Sequence, residues 1–99
     1  MNIVVTANAK RRLRQIFNYY CDKDLPAVAF RIKTSIENRI LYLEKFPRMG
    51  AVEEQLSDLG LGHRYLVEGN YKIIYRIEED KVYITDIFHT RQDPSKMKP

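Results

Sequence analysis

The apolar residues of this chain change their spacing part-way along, and that change limits the folds open to it. Ala9, Leu13, Ile16, Phe17 and Tyr20 recur at helical intervals. They form the stripe of an amphipathic helix, with the arginines mostly off it. Asp22-Lys23-Asp24 interrupts the stripe. A second stripe follows in Ala29, Ile32, Ile36, Ile40 and Leu43. Its helix starts at Asp24 or Leu25, with Pro26 tolerated in the first turn. Pro47 ends it, because a proline pushes the preceding residue out of the helical region. From His63 onward the spacing is that of strands. Tyr71, Ile73, Tyr75 and Ile77 alternate with Lys72, Ile74 and Arg76. One face of that strand is expected to meet the helices, while Lys72 and Arg76 point away.

The remaining elements follow from local chemistry. Ile3, Val4 and Val5 are β-branched and predict a short opening strand. Thr6 or Asn8 then caps the first helix. Residues 47–62 read as a loop, with room for one helical turn around Glu53–Leu59. Gly60 and Gly62 release the chain into strands His63–Glu68, Tyr71–Ile77 and Val82–Phe88. Gly69-Asn70 is a two-residue hairpin turn. Asp86 interrupts the apolar set Val82, Ile84 and Phe88, so either a basic neighbour pairs with it or the register breaks there. The order is β-α-α-β-β-β. The expected fold class is α+β: an N-terminal short strand and a two-helix antiparallel hairpin packed on one face of an antiparallel sheet. Residues 1–99 make one domain of this kind, with no repeat or low-complexity stretch.

Composition narrows the function classes. With 44% hydrophobic and 30% charged residues, this is the make-up of a soluble globular protein. No apolar run is long enough to span a membrane, and the N-terminus lacks a secretory pattern, so a cytoplasmic protein is expected. Cys21 is the only cysteine, which excludes an intramolecular disulfide and a cysteine-based zinc site. With only His63 and His89 besides, no metal or cofactor is expected. The net charge is +4, and Lys10, Arg11, Arg12 and Arg14 lie in a stretch without an acid. Such a run either meets nucleic acid or an acidic protein segment, or is a solvated helix face. The segment His89-Thr90-Arg91-Gln92-Asp93-Pro94 brings an imidazole, a guanidinium, an amide and a carboxylate to the end of the last strand. These groups can grip phosphate or move a proton; equally, His89 can end an edge and Asp93 form a turn before Pro94.

Taken in order, the helical hairpin, Phe46-Pro47-Arg48-Met49-Gly50, Gly62-His63-Arg64-Tyr65-Leu66-Val67, Tyr71-Lys72-Ile73-Ile74-Tyr75-Arg76-Ile77 and His89-Thr90-Arg91-Gln92-Asp93-Pro94 resemble the RelE/ParE toxin superfamily. The resemblance covers nearly the whole chain. It implies a toxin of a prokaryotic type II toxin–antitoxin module, neutralised by a cognate antitoxin encoded beside it, with scope for higher-order assembly of the two. Acidic antitoxin residues are then expected near Arg11, Arg12 or Arg14. RelE-like members are ribosome-dependent, metal-independent mRNA endoribonucleases. ParE-like members inhibit DNA gyrase and need no RNA-cleaving residues. In a ribonuclease, Arg64 and Arg76 would hold phosphate, His89 would transfer a proton, Arg91 would stabilise charge, and Glu53 or Glu54 would be a base. The loop from Met49 to Gly62 has no lysine or arginine and three acids, and no tyrosine follows Tyr83. Both features depart from the ribonuclease pattern, so the ParE-like branch is favoured. A plain nucleic-acid-binding module using the first helix with Arg64, Lys72 and Arg76, and an inactive homologue that serves as a binding partner, are the readings outside that pair.

Overall fold

The computed structural model describes residues 1–99. Its elements are β1 (Asn2–Val5), α1 (Ala7–Asp22), α2 (Pro26–Tyr42), β2 (Ala51–Val52), β3 (Arg64–Glu68), β4 (Tyr71–Glu78) and β5 (Lys81–His89). Short 3-10 helices span Glu54–Leu59 and Pro94–Lys96. The architecture is α+β, with one five-stranded sheet in the order β1-β5-β4-β3-β2.

Local sequence sets the helix ends. Thr6 caps α1 by accepting a 3.2 Å hydrogen bond from the Ala9 N–H. The hairpin bend is a Schellman-type cap: Leu25 N–H donates to the Tyr20 carbonyl at 2.9 Å and Asp24 N–H to the Cys21 carbonyl at 3.0 Å. Asp24 takes the left-handed position at φ 60°, where glycine is usual and a short polar side chain is tolerated. Pro26 then opens α2 at a position where no N–H is needed. Phe17 and Phe30 meet edge-on across the hairpin, with ring centroids 4.9 Å apart.

The main core lies between the hairpin and the sheet. Ala9, Ile36, Ile40 and Leu43 from the helical half pack with Leu66, Tyr71, Ile73, Tyr75, Val82, Ile84 and Ile87 from the strands. Ile32 and Ile77 are partly buried against this cluster. The face of β4 expected to meet the helices therefore does so.

The sheet differs from the sequence expectation in two places, and in a third it takes an outcome that the sequence left open. First, it is mixed: β1 runs parallel to β5 while the other pairs are antiparallel. The chain leaves β1 through the hairpin and returns beside it by way of the other strands, and strand-sized segments read singly do not reveal that crossover. Second, Ala51–Val52 pairs with Tyr65 and Arg64 as a two-residue edge strand inside the segment read as loop. Third, the register of β5 breaks. Ile74 pairs with Asp86 but Tyr75 pairs with Ile84, which leaves Thr85 as an extra residue, a β-bulge. Before the bulge Val82 and Ile84 face the helices; after it Ile87 does. Phe88 consequently joins Leu56, Ile74 and Met97 in a second cluster on the opposite face.

Asp86 is fully buried at that break, and its expected basic neighbour is Arg12, with Nε–Oδ1 at 3.3 Å. β1 pairs with β5 only as far as Ile84. Beyond it, Thr6 Oγ1 donates to the Ile84 carbonyl and Asn8 Nδ2 to the Thr85 carbonyl, each at 2.8 Å. Arg12, one helical turn after Asn8, reaches Asp86. The other Asp86 oxygen accepts from the Lys98 N–H at 2.9 Å, which holds the C-terminal segment on the second face.

Ile36 lies with Ile73 and Tyr75 in the main core, all three fully buried. Ile36→Ala is expected to cost ~2–5 kcal/mol, read as a lower urea midpoint at unchanged slope.

Candidate functional site

Three of the four candidate ribonuclease residues lie on different parts of the sheet. Arg64 pairs across the strands with Tyr75, whose side chain is on the helix side. Its Nη1 donates to the Gly50 carbonyl at 2.8 Å and the Arg48 carbonyl at 3.4 Å. Tyr75 holds the same loop from below, accepting from the Gly50 N–H at 2.9 Å. Burial pushes the Tyr75 phenol up, against the opposing pull of that N–H and of Arg64. Gly50 has no room for a side chain: a Cβ there would lie 2.6 Å from Tyr75 Oη and 2.7 Å from the Tyr65 carbonyl oxygen. Arg64 is thus the fastening of the Phe46–Gly50 segment, with its donors on backbone carbonyls.

Arg76 follows Tyr75 on β4 and so points to the opposite face. There it pairs with Glu78 and lies over the Tyr83 ring, 4.7 Å from the centroid. His89 sits at the other end of β4, opposite Tyr71. Tyr71 and Arg76 are five positions apart in the strand, roughly 17 Å at strand rise. The His89 ring meets Tyr71 edge-on at 5.2 Å. Its Nδ1 accepts from the Arg91 N–H at 3.1 Å, which closes the turn after β5. Arg91 itself is exposed and forms no ion pair. Asp93 caps the following short helix by accepting from the Ser95 N–H at 3.0 Å, and that hydrogen bond holds its carboxyl below its ordinary range.

The carboxylates considered as bases divide in the same way. Glu53 is buried and bridged to Lys72 at 3.0 Å, and Lys72 lies 4.2 Å from the Tyr65 ring centroid. Glu54 is exposed at the start of the Glu54–Leu59 helix. Of the three arginines on α1, Arg12 is committed to Asp86. Arg11 is exposed and donates to Asn8 Oδ1, and Arg14 is exposed without an ion pair.

A cleft of about 380 Å³ opens where α1 leaves the end of the sheet. Arg12, Tyr19 and Tyr20 line one side, and Tyr71, His89 and Gln92 the other. It is the one place that gathers part of the His89–Pro94 segment with residues of the first helix. Sequence reading missed the tyrosines there, because Tyr20 sits in the helical stripe and Tyr71 in the strand alternation, where both read as core. It also missed His63, which is buried with no hydrogen-bond partner for either ring nitrogen. Only its place after Gly62 was legible, and it was read as the first residue of a strand that in fact starts at Arg64. Burial, and then the Arg76 charge, lower the His63 pKa. No group of His, Cys, Asp or Glu side chains has the geometry of a metal site.

The family model described as ParE toxin of type II toxin–antitoxin system, parDE, matches residues 3–94. The chain belongs to the ParE toxin family. It is the toxin component of a type II toxin–antitoxin module, on the ParE side of the superfamily. A solved structure described as the chromosomal ParDE TA system from P. aeruginosa has the same fold, with a TM-score of 0.77 at 20% identity over 92% of this chain and 97% of that one. No curated relative matches the sequence. In this ParE-family chain the residues that look catalytic are spread over two sheet faces and both ends of β4, and most are spent on loop, turn and strand contacts. No helix is long and apolar enough to cross a membrane.

His63 gives the fold a pH dependence with a definite sign. The folded state resists protonating His63, whereas the unfolded chain takes that proton near the ordinary value of 6.5. This contribution is therefore intact above that pH and lost as the pH falls toward the lower folded value, with a slope of at most ~1.4 kcal/mol per pH unit. Urea titrations across this range should show the slope in the parent and a shallower one in His63→Leu.

Proposed function

We propose that this toxin arrests growth by inhibiting DNA gyrase, and that a cognate antitoxin encoded beside it keeps it inactive. The observation that carries the target reading is the scatter of Arg64, Arg76, His89 and Arg91. RNA cleavage needs a base, an acid and phosphate-stabilising cations converging on one phosphodiester. Arg64 and Arg76 lie on opposite faces, and His89 lies at the far end of β4 from Arg76. The ParE family match over residues 3–94 supports the same branch.

The antitoxin reading has support in a groove between β1 and the hairpin. It has a volume of about 420 Å³ and is lined by Ile3, Val5, Leu13, Ile40 and Leu41, with Lys10 and Glu37 at its sides. β1 is an outer strand of the sheet, so one of its backbone edges has no strand partner. An edge beside an apolar groove suits an extended segment that folds on binding. Lys10, Arg11 and Arg14 lie in the first half of α1, and their charges favour acidic partner residues there.

Induced expression should stop growth and raise a DNA-damage response, and co-expression of the neighbouring gene product should relieve both. Arrest with rapid messenger loss and no DNA-damage response would contradict the gyrase reading. His89→Gln removes the imidazole yet keeps a polar side chain, and is expected to retain most of the toxicity. A ribonuclease using His89 as acid or base would lose ~10²–10⁴-fold in cleavage rate instead. For the antitoxin surface, Leu41→Glu puts a charge into the groove at a residue 57% exposed in the free toxin. Antitoxin affinity should fall at least about tenfold, measured by calorimetry; unchanged affinity would place the antitoxin elsewhere.

A further inference from the structure

We propose that the cleft at the end of the sheet and the cavity next to it form one trough, which seats an extended, acidic segment of the protein this toxin inhibits. The inference rests on the reading that the target is gyrase, and adds where and by what chemistry the target is held.

The second cavity, of about 340 Å³, lies between the hairpin and the Gly69-Asn70 turn. Tyr20 and Tyr71 line both cavities, so the two adjoin along this pair of side chains. Neither shares a lining residue with the groove beside β1. The antitoxin surface and this trough are therefore separate, and each can take its own protein segment.

Three features define the occupant. Two adjoining cavities, of about 380 and 340 Å³, hold more than one side chain and suit an extended backbone. The floor is apolar, with Ile16 and Ile87 in the first cavity and Ile32 in the second, while Gln15, Gln92 and Asn70 bring amide donors and acceptors to the rim. That pairing of apolar floor and amide rim fits a peptide with apolar side chains inward and its backbone hydrogen-bonded. The third feature is charge. Asp86, next to the first cavity, is matched by Arg12, and Glu68, in the second, by Arg39 at 3.5 Å. Arg31 lines the second cavity, is exposed, and forms no ion pair. The formal charge left unpaired along the trough is positive, so an acidic segment is favoured over a basic one. Tyr19, 54% exposed at the trough edge, offers an aromatic anchor of the type that dominates protein interfaces. Burial, with the Tyr20 hydroxyl alongside, pushes the Tyr71 phenol up, so it stays protonated and able to donate.

The test uses the full-length toxin in a gyrase supercoiling assay, with antitoxin affinity measured on the same preparations. Arg31→Glu and Gln15→Glu each put a carboxylate at an exposed position, and melting temperatures confirm folding. Each variant should need at least about tenfold more protein for half-inhibition, while antitoxin affinity stays within about twofold. Full inhibitory potency in both variants, with an active parent, would overturn the inference and leave the gyrase reading standing. Parallel loss of antitoxin affinity would also overturn it, by assigning the trough to the antitoxin. A parent that does not inhibit gyrase would remove both the target reading and this inference.

Discussion

A carboxylate with no solvent exposure sits at the centre of this small fold, and its partners tie together three parts of the chain distant in sequence. Asp86 draws Arg12 of α1 from one side and the backbone N–H of Lys98 from the other. Burying a charge is costly unless it is paired and hydrogen-bonded, so α1, β5 and the C-terminal segment must be in place together. The Nε–Oδ1 contact of 3.3 Å is an ion pair without the alignment of a good hydrogen bond. Its role is less to add stability than to forbid alternatives: leaving one partner of such a pair buried alone costs ~3–5 kcal/mol. The bulge at Thr85 belongs to the same arrangement. It turns Asp86 away from the helix-side core and lets Ile87 take that place, so β5 keeps an apolar face toward the helices despite the acid within it.

The same economy governs the other polar residues. Arg64 and Tyr75 hold Gly50 from two sides. Glu53, Lys72 and Tyr65 form a stack of carboxylate, ammonium and ring on the opposite face. Arg76 lies between Glu78 and Tyr83. In a domain of 99 residues with a thin core, cross-strand and loop contacts made by long polar side chains contribute much of what fixes the geometry. These contacts hold Arg64 and Arg76 to opposite faces of the sheet, which agrees with the ParE family match and with the absence of a basic loop between Met49 and Gly62.

How much of this was legible in the sequence depended on the range of the interaction. The stripes Ala9–Tyr20 and Ala29–Leu43, the β4 alternation and the Gly69-Asn70 turn are written in local spacing, and each matches its element. The helical turn at Glu53–Leu59 and the Thr6 cap are local as well. The parallel pairing of β1 and the two-residue β2 depend on residues far along the chain, and no local pattern encodes them; a break near Asp86 was legible, but not that Thr85 is its extra residue. Asp86 stood out as an acid in an apolar run, but that Arg12 rather than Arg11 or Arg14 would reach it follows only from how α1 lies along β5. For the site, residue types suggested only the local His89–Pro94 group, and the resemblance to the superfamily added Arg64 and Arg76 as partners of His89 and Arg91 in a ribonuclease. Strand parity already separates Arg76 from Tyr75, and the pairing of Arg64 with Tyr75 then places the two arginines on opposite faces, which only the β3–β4 register reveals.

The central proposal is that these polar side chains hold the toxin together and do not cut RNA. Incubating the purified toxin with ribosomes programmed with a defined messenger, and mapping the 5′ ends produced, tests this most directly. The account predicts no cleavage at the ribosomal A site above a toxin-free control. A strong A-site cut by the parent toxin that disappears in Arg64→Ala, with that variant still folded, would contradict it.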